Sequence, residues 1–138
     1  MTVLVDTPIW SCAYRRTQHT VDEASLIAEL IDLIRREEAV FIGAICQELL
    51  SGINNEGSFE DVRTAMRGFV ELFATLDDYE LAATYCNTCR RHGIQGSATD
   101  FLICAVAKEY DAAIFTTDRD FELYAQVLGI RLHNATGS

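Results

Sequence analysis

The sequence predicts an α/β fold, an α/β/α sandwich built on a mostly parallel central sheet of about five strands. Three observations carry this expectation. Short apolar runs alternate along the whole chain with longer segments of helical periodicity. Several of those runs end in an acidic or hydroxyl residue, as strands do where they meet the loops at the carboxyl edge of an open parallel sheet. No repeat, low-complexity tract or linker interrupts the pattern, so residues 1–138 read as a single domain, long enough to bury a core.

The elements follow in order. Val3 to Val5 is a short buried strand, and Thr7-Pro8 starts a helix, with Thr as N-cap and Pro in the first helical position. That helix runs through Ile9, Trp10 and Tyr14 toward Arg15 and Arg16. Thr20-Val21-Asp22-Glu23 is a capping box. The helix behind it sets Leu26, Ile27, Leu30, Ile31 and Ile34 on one face. Ala39 to Ile42 is a second strand. Gly43 and Ala44 lead into a helix that holds Ile45, Glu48 and Leu49 and ends near Gly52. After the polar loop Asn54 to Gly57, a helix starting within Ser58 to Asp61 places Val62, Met66, Phe69, Val70 and Phe73 at helical spacing. Ala74-Thr75-Leu76 reads as a short third strand. Asp77 or Asp78 caps the next helix, which carries Leu81, Ala82 and Tyr85 and stops at His92-Gly93. Asp100 opens a strongly apolar helix, Ala112 to Phe115 is a strand, and Phe121 to Leu128 is helical. Gly129 stops that helix, and Ile130-Arg131-Leu132 is the expected last strand.

Composition narrows the function classes. Apolar content of 49% and charged content of 23% suit a soluble globular protein. No apolar stretch reaches membrane-spanning length, so no membrane partner is expected. The N-terminus lacks the basic and long apolar regions of a signal peptide, which points to the cytoplasm. Cysteines 12, 46, 86, 89 and 104 fit a reducing compartment as small buried hydrophobes. Cys86 and Cys89 form a C-x-x-C, but it falls mid-helix with no second pair or His pair to complete a zinc site. Asn134-Ala135-Thr136 matches a glycosylation sequon that a chain without a secretory signal does not use. A formal net charge of −10 argues against a broad surface for duplex nucleic acid. It leaves room for nucleic-acid chemistry at a metal centre, where bound cations offset acidic residues.

The residues with the plainest chemical purpose are Asp6, Glu48, Asp100 and Asp118. Singly, each has an ordinary explanation: a turn or N-cap acid, a solvated helix face, a first-turn acid that complements the helix dipole. Asp22, Asp32, Asp61, Asp77 and Asp78 are residues of that ordinary kind. Jointly the four are different. Asp6 and Asp118 leave strands at the carboxyl edge, and the helices holding Glu48 and Asp100 start at the same rim. Crowded carboxylates repel one another, and a divalent cation removes that cost. Oxygen ligands favour Mg²⁺ or Mn²⁺ over zinc, and His19, His92 and His133 show no ligand spacing.

Four segments carry a family resemblance: Val3-Leu4-Val5-Asp6-Thr7, Gln47-Glu48-Leu49-Leu50-Ser51-Gly52, Thr99-Asp100-Phe101-Leu102-Ile103-Cys104-Ala105-Val106-Ala107, and Thr116-Thr117-Asp118-Arg119-Asp120-Phe121. In this order and at these spacings the chain resembles a PIN-domain ribonuclease, and more narrowly a VapC-type toxin of a type II toxin–antitoxin pair. The resemblance covers nearly the whole chain. It departs at Pro8-Ile9, where a further small polar residue is frequent. It implies metal-dependent cleavage of RNA to 5′-phosphate and 3′-hydroxyl ends, an antitoxin peptide seated in the acidic pocket, and a homodimer. It adds Asp120 to Asp6, Asp100 and Asp118 as a metal-site acid and leaves open which of Asp118 and Asp120 weighs more. In the mechanism this implies, Glu48 ligates the ion or orients the attacking water. Thr7 and Thr116 support the carboxylates by hydrogen bonds. Arg15, Arg16, Arg63, Arg67 and Arg119 are candidate RNA contacts.

Other functions compete. A non-catalytic binding module of the same fold would have lost one or more of the acids, and all are present. The residues leave DNA open as a substrate, although a structure-specific DNA nuclease of related fold would add a helical arch or DNA-binding motif, which this short chain lacks. A phospho-acceptor signalling domain wants adjacent acids after the first strand and a Lys at the end of the last. Here Thr7 follows Asp6, and the sole Lys108 lies in a helix.

Overall fold

A computed structural model describes residues 1–15 and 18–134, with the side chain of Arg15 left out. The expectations placed on the side chains of Arg15 and Arg16 as nucleic-acid contacts, and on residues 135–136 of the sequon, therefore lie outside the described residues. The order is β1 (Val3–Val5), α1 (Thr7–Arg15), α2 (Val21–Arg35), β2 (Ala39–Ile42), α3 (Gly43–Ser51), α4 (Glu56–Met66), β3 (Val70–Leu72), α5 (Leu76–Arg91), α6 (Ala98–Glu109), β4 (Ala113–Phe115) and α7 (Asp120–Val127). Among the described residues no helix is long and apolar enough to cross a membrane.

The strands form one parallel sheet in the order β3-β2-β1-β4. The expected fifth strand shrinks to a single parallel bridge between Leu132 and Ile114. The chain steps outward from β1 through β2 to β3, then returns past β1 to place β4 on its other side. Right-handed crossovers in these opposite directions put α1 to α4 on one face and α5 and α6 on the other. The packing agrees: α1 lies on α2 and α3, α3 on α4, and α5 on α6.

The residues explain these elements. Every side chain of β1, β2 and β4 is buried, as strands covered on both faces require. Residues 101–107 of α6 are all buried too, so this helix is apolar all round and runs through the interior. The Thr20–Glu23 capping box forms as expected, and Gly93 adopts φ 74° after α5, in the left-handed region that suits glycine. Trp10 is fully buried and donates its indole N–H to the carbonyl of Val5 at 2.9 Å, which locks α1 onto the strand end.

Several expectations are corrected. Val70 belongs to a strand, not to a continuing helix: α4 ends at Met66, and β3 spans 70–72, four residues before the expected third strand. Backbone pairing with β2 overrides the helical spacing of Phe69, Val70 and Phe73. Thr75 then caps α5 through a capping box with Asp78, so Leu76 starts a helix. On α2 the buried face is centred on Leu30 and Leu33, with Glu29 beside them, whereas Ile31 is 42% exposed.

That rotation of α2 gives a direct test. Leu33→Ala should lower unfolding free energy by about 2–5 kcal/mol in urea titration. Ile31→Ala should stay within about 1 kcal/mol of wild type. Equal losses would place the buried face where the sequence alone puts it.

Candidate metal centre

The sheet reverses its strand order between β1 and β4, and such a switch point is where open parallel sheets leave a crevice at their carboxyl ends. Asp6 stands there, immediately after β1, and is 4% exposed. Its amide donates to the carbonyl of Phe115 at the end of β4, at 2.9 Å. Asp6 Oδ2 accepts the hydroxyl of Thr116 at 2.8 Å, and Oδ1 accepts the amide of Thr7 at 2.8 Å. The same Thr116 hydroxyl accepts the amide of Asp118 at 3.0 Å. One hydroxyl thus ties the buried acid of β1 to the acidic loop after β4.

The other acids arrive on helices. Glu48, exposed on α3, accepts the Thr7 hydroxyl on Oε1 at 2.7 Å. The Thr7 hydroxyl therefore reaches across to α3 instead of capping α1 as its position beside Pro8 suggests. Asp100 lies in the first turn of α6, where Ser97 caps the helix and accepts the Asp100 amide at 3.1 Å. Asp118 Oδ1 accepts the amide of Asp120 at 2.9 Å, which turns the loop into α7. Each of the four acids expected from the sequence is thus held by a neighbouring group.

Their charges interact. Burial pushes the Asp6 carboxyl up to about 6, despite the bonds from Thr116 and Thr7 that favour its charge, and the charges of Asp100 and Glu48 push in the same direction. Burial also raises Asp100, against the Tyr124 and Ser97 bonds, with Asp118 adding repulsion. Asp6 thus feels Glu48 and Asp100, and Asp100 feels Asp118. Asp120 is exposed beside Asp118.

These donors fit a hard divalent cation in kind: all are carboxylates, and their mutual repulsion is what a cation would relieve. They are not a finished cage. Among the described residues, no three His, Cys, Asp or Glu side chains are grouped closely enough to hold an ion. Instead each carboxylate leans on a hydroxyl or amide donor of the protein.

The expected arginines divide. Arg119 is exposed between Asp118 and Asp120. Arg63 and Arg67 line a separate groove of about 560 Å³ with Gly43, Cys46, Gln47 and Leu50 of α3. At about 100° per residue, Glu48 projects roughly opposite that α3 face, so the structure does not bring this pair beside the acids. Cys86 and Cys89 are free thiols in the last two turns of α5; Cys89 is buried, as the structural reading of the C-x-x-C expects, and Cys86 is half-buried.

Sequence reasoning missed two residues here, Ser97 and Tyr124. Tyr124 is fully buried, and its hydroxyl donates to Asp100 Oδ2 at 2.7 Å. A signal existed: a Tyr on the inner face of a helix needs a partner for its hydroxyl.

Comparison with known proteins identifies the family. The sequence matches the PIN domain over residues 3–127. The chain belongs to the PIN domain family, whose domains are generally nucleases. No curated protein matches it. Among solved structures, a chain of FitAcB from Neisseria gonorrhoeae is 20% identical, with a TM-score of 0.76 over 99% of this chain and 100% of that one. A chain of VapBC2 from Rickettsia felis, bound to a DNA fragment from its promoter, is 16% identical, with a TM-score of 0.75 over 97% and 98%. A toxin–antitoxin complex from Klebsiella pneumoniae contributes a third, 16% identical, with a TM-score of 0.64 over 87% and 90%. At these identities the likeness is one of fold.

The raised Asp6 carboxyl makes a pH prediction. Its folded value of about 6 lies above the ordinary 3.8. The stability it contributes is therefore fully present below about pH 4 and is lost as pH rises through about 6. At about 1.4 kcal/mol per pKa unit, keeping Asp6 charged costs roughly 3 kcal/mol at neutral pH. Asp6→Asn should therefore stabilise the metal-free protein by about 1–3 kcal/mol at pH 7.5, with the gain fading toward pH 4. Urea titrations at both pH values check this, and a variant less stable than wild type at pH 7.5 would refute it.

Proposed function

We propose that this chain is the VapC-type toxin of a toxin–antitoxin pair, a Mg²⁺- or Mn²⁺-dependent endoribonuclease. The observation that carries the reading is the buried Asp6 at the β1/β4 switch point, bonded to Thr116 and within electrostatic reach of Glu48 and Asp100. Membership of a family of nucleases and the likeness in fold to FitAcB, VapBC2 and a toxin–antitoxin complex support it.

In this reading Asp6, Asp100 and Asp118 hold the ion, with Asp120 contributing at the loop. A bound divalent ion activates water and stabilises charge on a phosphoryl oxygen. Glu48 ligates the ion or orients the attacking water, and the Thr7 hydroxyl fixes its carboxylate. Thr116 holds the Asp6 carboxylate and the Asp118 backbone in register. In this reading Arg119, exposed in the acidic loop, meets a substrate phosphate. The products carry 5′-phosphate and 3′-hydroxyl ends. The physiological partner is an antitoxin peptide that seats a basic side chain among the same carboxylates, and the toxin acts as a homodimer.

Purified protein should cut single-stranded RNA with Mn²⁺ or Mg²⁺ and stop with EDTA. Asp100→Asn should slow cleavage at least about 100-fold, which corresponds to roughly 3 kcal/mol of lost transition-state stabilisation. Cleavage by Asp100→Asn at the wild-type rate would remove Asp100 from the site. Cleavage of DNA in preference to RNA of the same sequence would change the substrate class.

A further inference from the structure

We infer that Tyr124 is a positioning residue for the Asp100 carboxylate, and that Gly96 exists to admit its hydroxyl. This deepens the reading of the acids as a metal centre and rests on it. Tyr124 lies on the inner face of α7 and is fully buried. Its ring centroid is 5.1 Å from that of Phe101 on α6 and 5.1 Å from that of Phe121 on its own helix. Two rings thus hold this one, and its hydroxyl donates to Asp100 Oδ2 at 2.7 Å.

Gly96 separates this arrangement from ordinary packing. A Cβ at position 96 would collide with the Tyr124 hydroxyl and would come within 2.8 Å of the ring carbon that bears it and 2.9 Å of Phe101. The loop before α6 therefore approaches the phenol more closely than any residue but glycine permits. Packing alone could be met by Phe. The hydroxyl and the bare backbone beside it make sense together only if its bond to Asp100 matters.

The chemistry of the pair points the same way. A phenol O–H is a donor and a carboxylate oxygen an acceptor, and the 2.7 Å between them is a short bond of that kind. A donor on one oxygen fixes the rotation of the carboxylate plane. Ser97 fixes the backbone of the same residue. Asp100 is therefore set from two sides, by α7 and by its own N-cap, before any ion arrives. Groups that orient a metal ligand in this way raise affinity by removing the freedom the ligand would otherwise lose.

The test is Mn²⁺ titration calorimetry on the full chain, with thermal melts of the same samples. Wild type should bind Mn²⁺ saturably, and Asp100→Asn should bind far more weakly. Tyr124→Phe, which removes one oxygen and keeps the ring, should weaken Mn²⁺ binding about 10-fold or more. Val62→Ala, a buried truncation on α4, should lower the melting temperature without changing Mn²⁺ affinity. Gly96→Ala crowds the hydroxyl without removing it and should weaken binding in the same direction, which supplies an independent variant if Tyr124→Phe folds poorly. Wild-type affinity in Tyr124→Phe, or an equal loss in Val62→Ala, overturns the positioning role and leaves the metal centre standing. Absence of saturable binding to wild type, or undiminished binding by Asp100→Asn, overturns the metal centre and this inference with it.

Discussion

The Thr116 hydroxyl is the hinge of the candidate site. It donates to the buried carboxylate of Asp6 and accepts the backbone of Asp118, so it joins the ends of two neighbouring parallel strands. A carboxylate with 4% exposure at a strand end is tolerable only with such partners. Even so, burial leaves its pKa raised to about 6. The fold therefore carries a local cost at the switch point of its sheet, which is where functional sites of open α/β folds gather. A cation that neutralised the acids would return that cost as binding energy.

The rest of the structure supports this arrangement. Burial of β1, β2 and β4 on both faces fixes where the strands end. The interior helix α6 then delivers Asp100 to the same rim, because its buried run from Phe101 to Ala107 leaves it no freedom to slide. On α3, burial of Ile45 and Leu49 turns Glu48 outward, within reach of Thr7. Three of the acids are thus placed by apolar packing at some distance from the charges, and short polar contacts make the final adjustment.

Much of this was legible in the sequence because it rests on local signals. The apolar runs at Val3–Val5 and Ala39–Ile42, the capping box at Thr20 and the stop at Gly93 are readable from residue type and spacing. So was the standing of Asp6, Asp100 and Asp118 at element ends, whereas Glu48 is the sixth of nine residues of α3. What failed depends on long-range contacts. Val70 to Leu72 carry a helical spacing, yet pairing with β2 makes them a strand. Ile130 to Leu132 have strand character, but only Leu132 bridges to Ile114. The destination of the Thr7 hydroxyl and the role of Tyr124 depend on partners 41 and 24 residues away. No window along the chain can reveal such pairs. Arg63 and Arg67 are candidate nucleic-acid contacts by residue type alone, and they line a groove apart from the acids.

The central claim is that the acids at the β1/β4 switch point form one divalent-cation site. Anomalous diffraction at the manganese edge, from crystals of the protein grown with Mn²⁺, tests it most directly. The account requires an anomalous peak in ligand contact with the carboxylates of Asp6 and Asp100. A peak held only by other residues, or none at saturating Mn²⁺, would contradict it.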